Sequence, residues 1–291
     1  MSMKLTDSEY IRELLGRHGF RFSKSLGQNF LTAAWVPEDI AAAGVPEEGM
    51  GVLEVGPGIG CLTRELSKRA EKVVSIELDK ALKPILAETL ADCPNVEVLF
   101  GDALKLDLAA LAEEKLGGLK KAVCANLPYN VTSPLLTAFI QAGCFDSITV
   151  MIQREVARRI CAAPGCPDYG AFGIFVQWHM ETELLFDVPP SCFMPQPKVT
   201  SSVIRLKKRR EHPAQVEDEK LMFRIIRAAF NQRRKTLVNA LSSQLGGITK
   251  EQAEEAIANC GFDTRIRGEA LDIGGFAKIS DKIVNSIHAD L

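Results

Sequence analysis

Asn126-Leu127-Pro128-Tyr129 follows the apolar run Ala122–Ala125 directly. An amide side chain, a backbone carbonyl, a proline and an aromatic ring in four consecutive positions suit one task, holding a planar base by its exocyclic amine. The amine lone pair of adenine is delocalised into the ring and is a poor nucleophile. If the Asn126 side-chain oxygen and the Leu127 carbonyl accept the amine hydrogens, electron density returns to nitrogen as it attacks an electrophilic methyl group. Pro128 fixes the turn so that a carbonyl points into the site. Tyr129 offers a ring face on which the base can stack, with its amine near the methyl. Asn130 reads only as a turn or helix-start residue. No histidine is needed, and His18, His179, His212 and His288 all lie away from the strand ends, so structural or surface roles are expected for them.

The stretch VLEVGPGIG (Val52 to Gly60) runs an apolar strand into Gly56, Gly58 and Gly60, where a Cβ-free turn lets a ligand approach the backbone. Glu77 closes the next strand, 21 residues after Gly56, the distance at which an acid takes ribose hydroxyls. Asp102 follows Phe100-Gly101 and is placed to reach an adenine amine or a neighbouring amide; Asp79 suits a helix cap. Glu54, inside the first strand, is open to two readings, facing the amino-acid end of a cofactor or binding backbone amides. These features alone fit NAD as well as another adenosine-bearing cofactor. Hydride transfer gives the Asn-Leu-Pro-Tyr turn no work, whereas methylation of a base amine uses every part of it.

The elements that must position these residues alternate. Val52–Val55, Val73–Ile76, Val96–Phe100, Ala122–Ala125 and Ile148–Ile152 are short apolar runs suited to strands buried on both faces. Helical stretches lie between them at Leu62–Ala70, Lys80–Leu90, Leu108–Leu116 and Pro134–Ala142, which predicts right-handed crossovers and a parallel sheet. Helices are also predicted over residues 6–20 and from Glu38. Ala171–Trp178, Leu184–Phe186 and Ser201–Leu206 are predicted as later strands. After a linker at Glu211–Glu217 the chain reads as helical: Lys220–Leu245 broken near Gly246-Gly247, then Thr249–Asn259 and Ile273–Ile287.

Bulk properties bound the class. A chain of 291 residues with 46% hydrophobic and 25% charged residues is ordinary for a folded protein of two domains. No apolar run approaches the roughly 18 residues of a spanning helix, and the N-terminus has no secretory or transit pattern, so a cytoplasmic protein without a membrane partner is expected. The eight cysteines are scattered; Cys161 and Cys166 lack the second pair of a zinc site, so reduced, mostly buried thiols and no metal are expected. The net charge of -2 hides a division: 19 basic against 25 acidic residues up to Lys198, but 16 against 12 from Val199 onward. Arg205–Arg210 and the span Arg224–Lys235, with five basic residues and no acid, suggest local affinity for phosphates.

Taken in order, SLGQNFL (25–31), EVGPGIG (54–60), IELD (76–79), GDAL (101–104), NLPYNV (126–131), QREVARR (153–159), PPSCFMPQPKVTSSV (189–203) and AFNQRRKTLVNAL (229–241) make the chain resemble the ribosomal RNA adenine dimethyltransferases, closest to their small-subunit branch. The resemblance implies an α/β fold, a Rossmann-like class I methyltransferase domain over residues 1–208 that binds S-adenosylmethionine, and a small all-helical C-terminal domain over 209–291 that positions RNA. It implies two methyl groups on each of two adjacent adenosines in the 3′-terminal hairpin of small-subunit ribosomal RNA, within an assembling subunit. Gln28, Asn29 and Leu31 would sit by the methionine end of the cofactor. Gly56, Gly58 and Gly60 would form the close turn, Glu77 would take the ribose hydroxyls and Asp102 the adenine amine. Asn126 and Tyr129 would hold the target base, with Phe193 facing it from the other side; from the residues alone Phe193 reads as core. Arg224, Arg227, Arg233, Arg234 and Lys235, with Arg154, Arg158 and Arg159 as a second footing, are expected to contact RNA. A monomer is expected. Two other readings are large-subunit adenine dimethylation of the macrolide-resistance type, and an RNA-binding or transcription-accessory protein on the same fold.

Overall fold

The computed structural model describes residues 5–23 and 26–289. Lys24, Ser25 at the start of the SLGQNFL motif, and the His288 side chain lie outside the described part. The chain forms two compact units, one of Met1–Ala157 with Glu181–Lys208, the other of Arg158–Met180 with Arg209–Leu291.

In the first unit, Asp7 caps α1 (Ser8–Arg17) by accepting the Glu9 and Tyr10 amides. The two-residue strand β1 (Phe30–Leu31) and α2 (Trp35–Gly44) lead into β2 (Met50–Val55), buried at every position. Strand and helix then alternate through α3 (Cys61–Ser67), β3 (Lys72–Glu77), α4 (Lys83–Thr89), β4 (Val96–Phe100), α5 (Leu108–Leu116), β5 (Lys120–Asn126), α6 (Thr132–Ala142) and β6 (Ser147–Gln153). After α7 (Arg154–Cys161) and α8 (Ala171–His179) come β7 (Met180–Val188), β8 (Phe193–Met194) and β9 (Ser201–Lys208). Seven strands share one sheet in the order β4-β3-β2-β5-β6-β9-β7. The pairs from β4 across to β6 are parallel and β9 runs antiparallel to β6. β1 and β8 form a separate two-stranded ribbon. The expected parallel α/β architecture is present, with each predicted strand of the first half in place.

The second unit is helical. Asp218, Thr236 and Thr249 cap α9 (Glu219–Asn231), α10 (Leu237–Gln244) and α11 (Lys250–Asn259), the last through a capping box with Gln252, and α12 (Ile273–Ala289) follows. The predicted long helix over Lys220–Leu245 breaks earlier than expected, at Gln232–Thr236. There the Lys235 amide donates to the Gln232 carbonyl and the Leu237 amide to Ile266.

Two expectations are corrected here. Ala171–Trp178 is helix α8, not a strand, because a short run apolar on all sides suits either form and its surroundings decide. Ile174 and Trp178, four residues apart, are both buried with Ile225, Ile226 and Leu237 in the helical core. The boundary at 208/209 is present, but the helical unit also takes Arg158–Met180. A shared core accounts for that: Ala162, Tyr169, Ile174 and Trp178 are buried with Met222, Ile225 and Phe276. All eight cysteines are free thiols, four of them buried, among them Cys61, whose thiol burial pushes up to about 12.

Candidate active site

Strand order locates the site. From β2 the chain moves outward to β3 and β4, then returns to β5 on the other side of β2. The carboxyl ends of β2 and β5 therefore flank the reversal point, where open parallel sheets bind ligands. A cleft opens there. Its walls come from the lip Leu26–Leu31, the turn after β2, Glu77-Leu78, Gly101–Leu104 and Asn126–Tyr129.

Gly56 and Gly58 hold φ of +75° and +59°, which side-chain-bearing residues rarely adopt. A Cβ on Gly58 would lie 3.2 Å from the Phe30 ring, and one on Gly56 would lie 3.8 Å from Pro128 Cδ. The lip, the glycine turn and the Asn-Leu-Pro-Tyr turn thus converge, leaving bare backbone at the cleft. Gly60, expected with them, does not line it. It begins α3 at φ +90° and faces Thr89 and Leu90, 3.1–3.2 Å from where its Cβ would be, so its role is close packing of the helix start.

Glu77 Oε2 accepts the Gly58 amide at 3.3 Å and Oε1 the Asp79 amide at 2.7 Å, which aims the carboxylate at the cleft. Burial pushes its pKa up, and these amides oppose the shift. Asp79 Oδ1 caps the next turn through the Ala81 amide, as expected, and Oδ2 also accepts Gln28 Nε2 at 2.7 Å. Gln28 Oε1 in turn accepts the Ser23 amide. Gln28 therefore fastens the lip to the end of β3, while Asn29 Nδ2 bonds the Gly27 carbonyl. Asp102 Oδ1 accepts the Leu104 amide at 3.1 Å.

The sequence reading missed Leu78 and Leu104, which line the cleft and are 53% and 41% exposed. The available signal was an apolar residue just past each strand-end acid, where core burial no longer calls for one. Glu54 lines the cleft, and its partners are hydroxyls rather than backbone amides. Its Oε2 accepts hydroxyl donors, Ser75 Oγ at 2.6 Å and Thr63 Oγ1 at 2.7 Å. Burial raises its pKa to about 7.

Asn126 ends β5 opposite Met151. The Leu127 amide donates to the Met151 carbonyl at 3.1 Å, and the chain then leaves the ladder. Among the described residues, the Leu127 carbonyl and the Asn126 side-chain amide have no hydrogen-bond partner. Pro128, at φ -59°, turns its own carbonyl away to the Val131 amide and the Thr132 hydroxyl. Tyr129 is part-buried, which pushes its phenol pKa up, and it shares a 2.6 Å hydrogen bond with Ser201.

The model of the family described as "Ribosomal RNA adenine dimethylase" matches residues 19–270. The chain belongs to that family. This dimethylase is 48% identical over 275 residues to "Ribosomal RNA small subunit methyltransferase A" of Clostridium perfringens strain SM101, covering 94% of each chain. It is 46% identical over 277 residues to the protein of that name from Geobacillus thermodenitrificans, again covering 94% of each. Among solved structures, the 23S rRNA methyltransferase ErmE is similar at a TM-score of 0.67 and 25% identity, over 88% of this chain and 99% of that one. A dimethyladenosine transferase from Plasmodium falciparum shares the fold at 0.69 and 24% identity, over 83% and 93%.

Phe193 of the dimethylase is not on the cleft. It is 3% exposed, pairs with Leu31 in the β1–β8 ribbon and packs in the core, which is the reading its residues gave alone. Of the expected RNA contacts, Arg154 lies 3.7 Å from Asp187, and Arg233 bonds Glu269 at 2.7 Å and reaches the Cys166 carbonyl, so both are tied within their own units. Arg158, Arg159, Arg224, Arg227, Arg234 and Lys235 are exposed. None of the described histidine side chains reaches the cleft: His18 bonds Glu88, while His179 and His212 pack with Trp178 and Phe223.

Proposed function

We propose that this dimethylase uses S-adenosylmethionine to place two methyl groups on each of two adjacent adenosines in the hairpin near the 3′ end of small-subunit ribosomal RNA, within an assembling subunit. One observation carries the chemistry: two unpaired acceptors, the Asn126 amide and the Leu127 carbonyl, stand at the cleft beside the bare backbone of Gly56. The relatives named for the small subunit, at 46–48% identity, favour that RNA over the large-subunit substrate.

The residues present fit the cofactor. Gly56 and Gly58 leave room at the backbone, Glu77 offers a lone pair on each oxygen to ribose hydroxyls, and Asp102 faces the adenine amine. Leu78 and Leu104 supply apolar surface for the adenine ring. Gln28, Asn29 and Leu31 border the methionine end, and Gln28 acts by holding the lip in place. When bound, S-adenosylmethionine supplies an electrophilic methyl group on a positively charged sulfur. The target base rests on Tyr129. Asn126 and Leu127 accept hydrogen bonds from its amine, which localises the lone pair for attack and fixes its direction; the nitrogen releases one proton to solvent after each transfer. After the first transfer a single hydrogen remains, so one acceptor carries the second step.

The deciding experiment supplies labelled S-adenosylmethionine with undermethylated small subunits, free small-subunit RNA and large-subunit RNA, and maps the modified nucleotides. The expected result is dimethylation of two adjacent small-subunit adenosines; modification of large-subunit adenosine alone overturns the reading.

On the helical unit, Arg224 and Arg227 lie beside the buried stripe of α9, and Arg234 and Lys235 follow it. We assign these four to RNA phosphates. Replacing Arg234 and Lys235 with alanine should lower the slope of log affinity against log salt by about two units, with cofactor binding untouched. An unchanged slope returns them to solvated surface.

A further inference from the structure

The Tyr129 hydroxyl is bonded away from the base site. Its partner, Ser201, is the first residue of β9, fully buried, and opposite Gln153 of β6. Because β6 lies between β5 and β9, the tyrosine in the turn after β5 reaches past the end of one whole strand to meet a hydroxyl 72 residues later in the chain. We infer that Ser201 is a positioning residue for the target adenosine, holding the Tyr129 ring by its far end so that the ring stays in place for the base. This rests on the assignment of Tyr129 as the stacking surface.

Three observations support it. A tyrosine anchored only at Cα can swing about its first side-chain bond; a 2.6 Å hydrogen bond at the phenol oxygen, which lies on the ring's own long axis, stops that swing and fixes where the ring stands. The anchor is itself pinned. The Arg154 amide donates to the Thr200 carbonyl at 3.0 Å, closing the end of β6 onto the start of β9. Ser202, pointing to the opposite face of the sheet, bonds Asp187 at 2.5 Å. Finally, with the hydroxyl turned to Ser201, the tyrosine addresses the base through its ring face alone. Proton acceptance at the amine is thereby left to groups other than Tyr129, and a displaced ring would misplace the amine. The second transfer is the more sensitive one, since a monomethylated base has one hydrogen left to hold it and more bulk to seat.

The test compares Ser201→Ala, Tyr129→Phe and the double variant in the full chain, on undermethylated small subunits. Each single change should lower kcat about fivefold, the size of effect of one lost hydrogen bond, and the double variant should be no worse than either. Cofactor Kd and the KM for subunits should hold, and monomethyladenosine should accumulate, which general loss of folded enzyme would not cause. Multiplying losses, or wild-type kcat and product ratio in both single variants, overturn the inference. Should Ser201→Ala not fold, Tyr129→Phe decides, since it leaves the strand intact: unchanged kcat and product ratio overturn the tether, and a loss with accumulated monomethyladenosine supports it. A wild-type chain that fails to methylate small subunits removes the proposed function itself; an active wild type with indifferent variants removes only the role of Ser201.

Discussion

Asn126→Ala should abolish most methyl transfer, with kcat falling by on the order of 10²–10³, the scale seen when one preorganised hydrogen-bonding group is removed from a reacting centre. The reason is local. The amide is one of two unpaired acceptors at the end of β5, and its removal leaves the target amine with a delocalised lone pair and half of its orientation. Cofactor affinity should stay nearly constant, because the glycine turn and Glu77 are untouched. Single-turnover transfer to undermethylated small subunits, with a parallel titration of S-adenosylhomocysteine, separates the two quantities. Wild-type turnover in the variant would take Asn126 out of the reaction.

The second large effect concerns stability. Glu54 has an ordinary pKa of 4.5 when unfolded and about 7 when folded, because burial disfavours the carboxylate more than the Ser75 and Thr63 hydroxyls favour it, and nearby Glu77 adds repulsion. Between those values the folded chain keeps a proton that the unfolded chain releases. The stabilising contribution is therefore full below the unfolded pKa and is lost as pH rises through about 7. The loss amounts to about 3 kcal/mol once both states are ionised. Glu54→Gln keeps an oxygen to accept both hydroxyls and cannot ionise. Its melting temperature should exceed that of the wild type by several degrees at alkaline pH and differ little near pH 5. An equal difference at both pH values would show that Glu54 is ionised throughout.

Much of this was legible in the sequence because the relevant signals are local. A valine-rich run followed by glycines, and acids just past later strands, mark the cofactor side of a parallel sheet whatever the distant packing does. The misreadings arose where distance decides. Ala171–Trp178 carries no polar face to report its period, and only the core it shares with Ile225 and Leu237 makes it helical. Phe193 lies among prolines in a stretch that the family resemblance marks as a base pocket, and only its distant pairing with Leu31 shows how deeply it is buried. The partners of Glu54 left a faint trace, a serine inside an otherwise apolar strand and a threonine early in α3. Nothing in the order of residues says that Tyr129 meets Ser201.

The placement of β9 bears on the order in which a growing chain becomes competent. Every residue lining the cleft lies between Leu26 and Leu135, while β9 enters the sheet between β6 and β7 and brings Ser201 to Tyr129 only from residue 201 onward. The wall for the methyl donor is thus encoded in less than the first half of the message, and the brace for the acceptor base arrives with the last strand of the sheet. A chain cut short before that strand would carry the former without the latter.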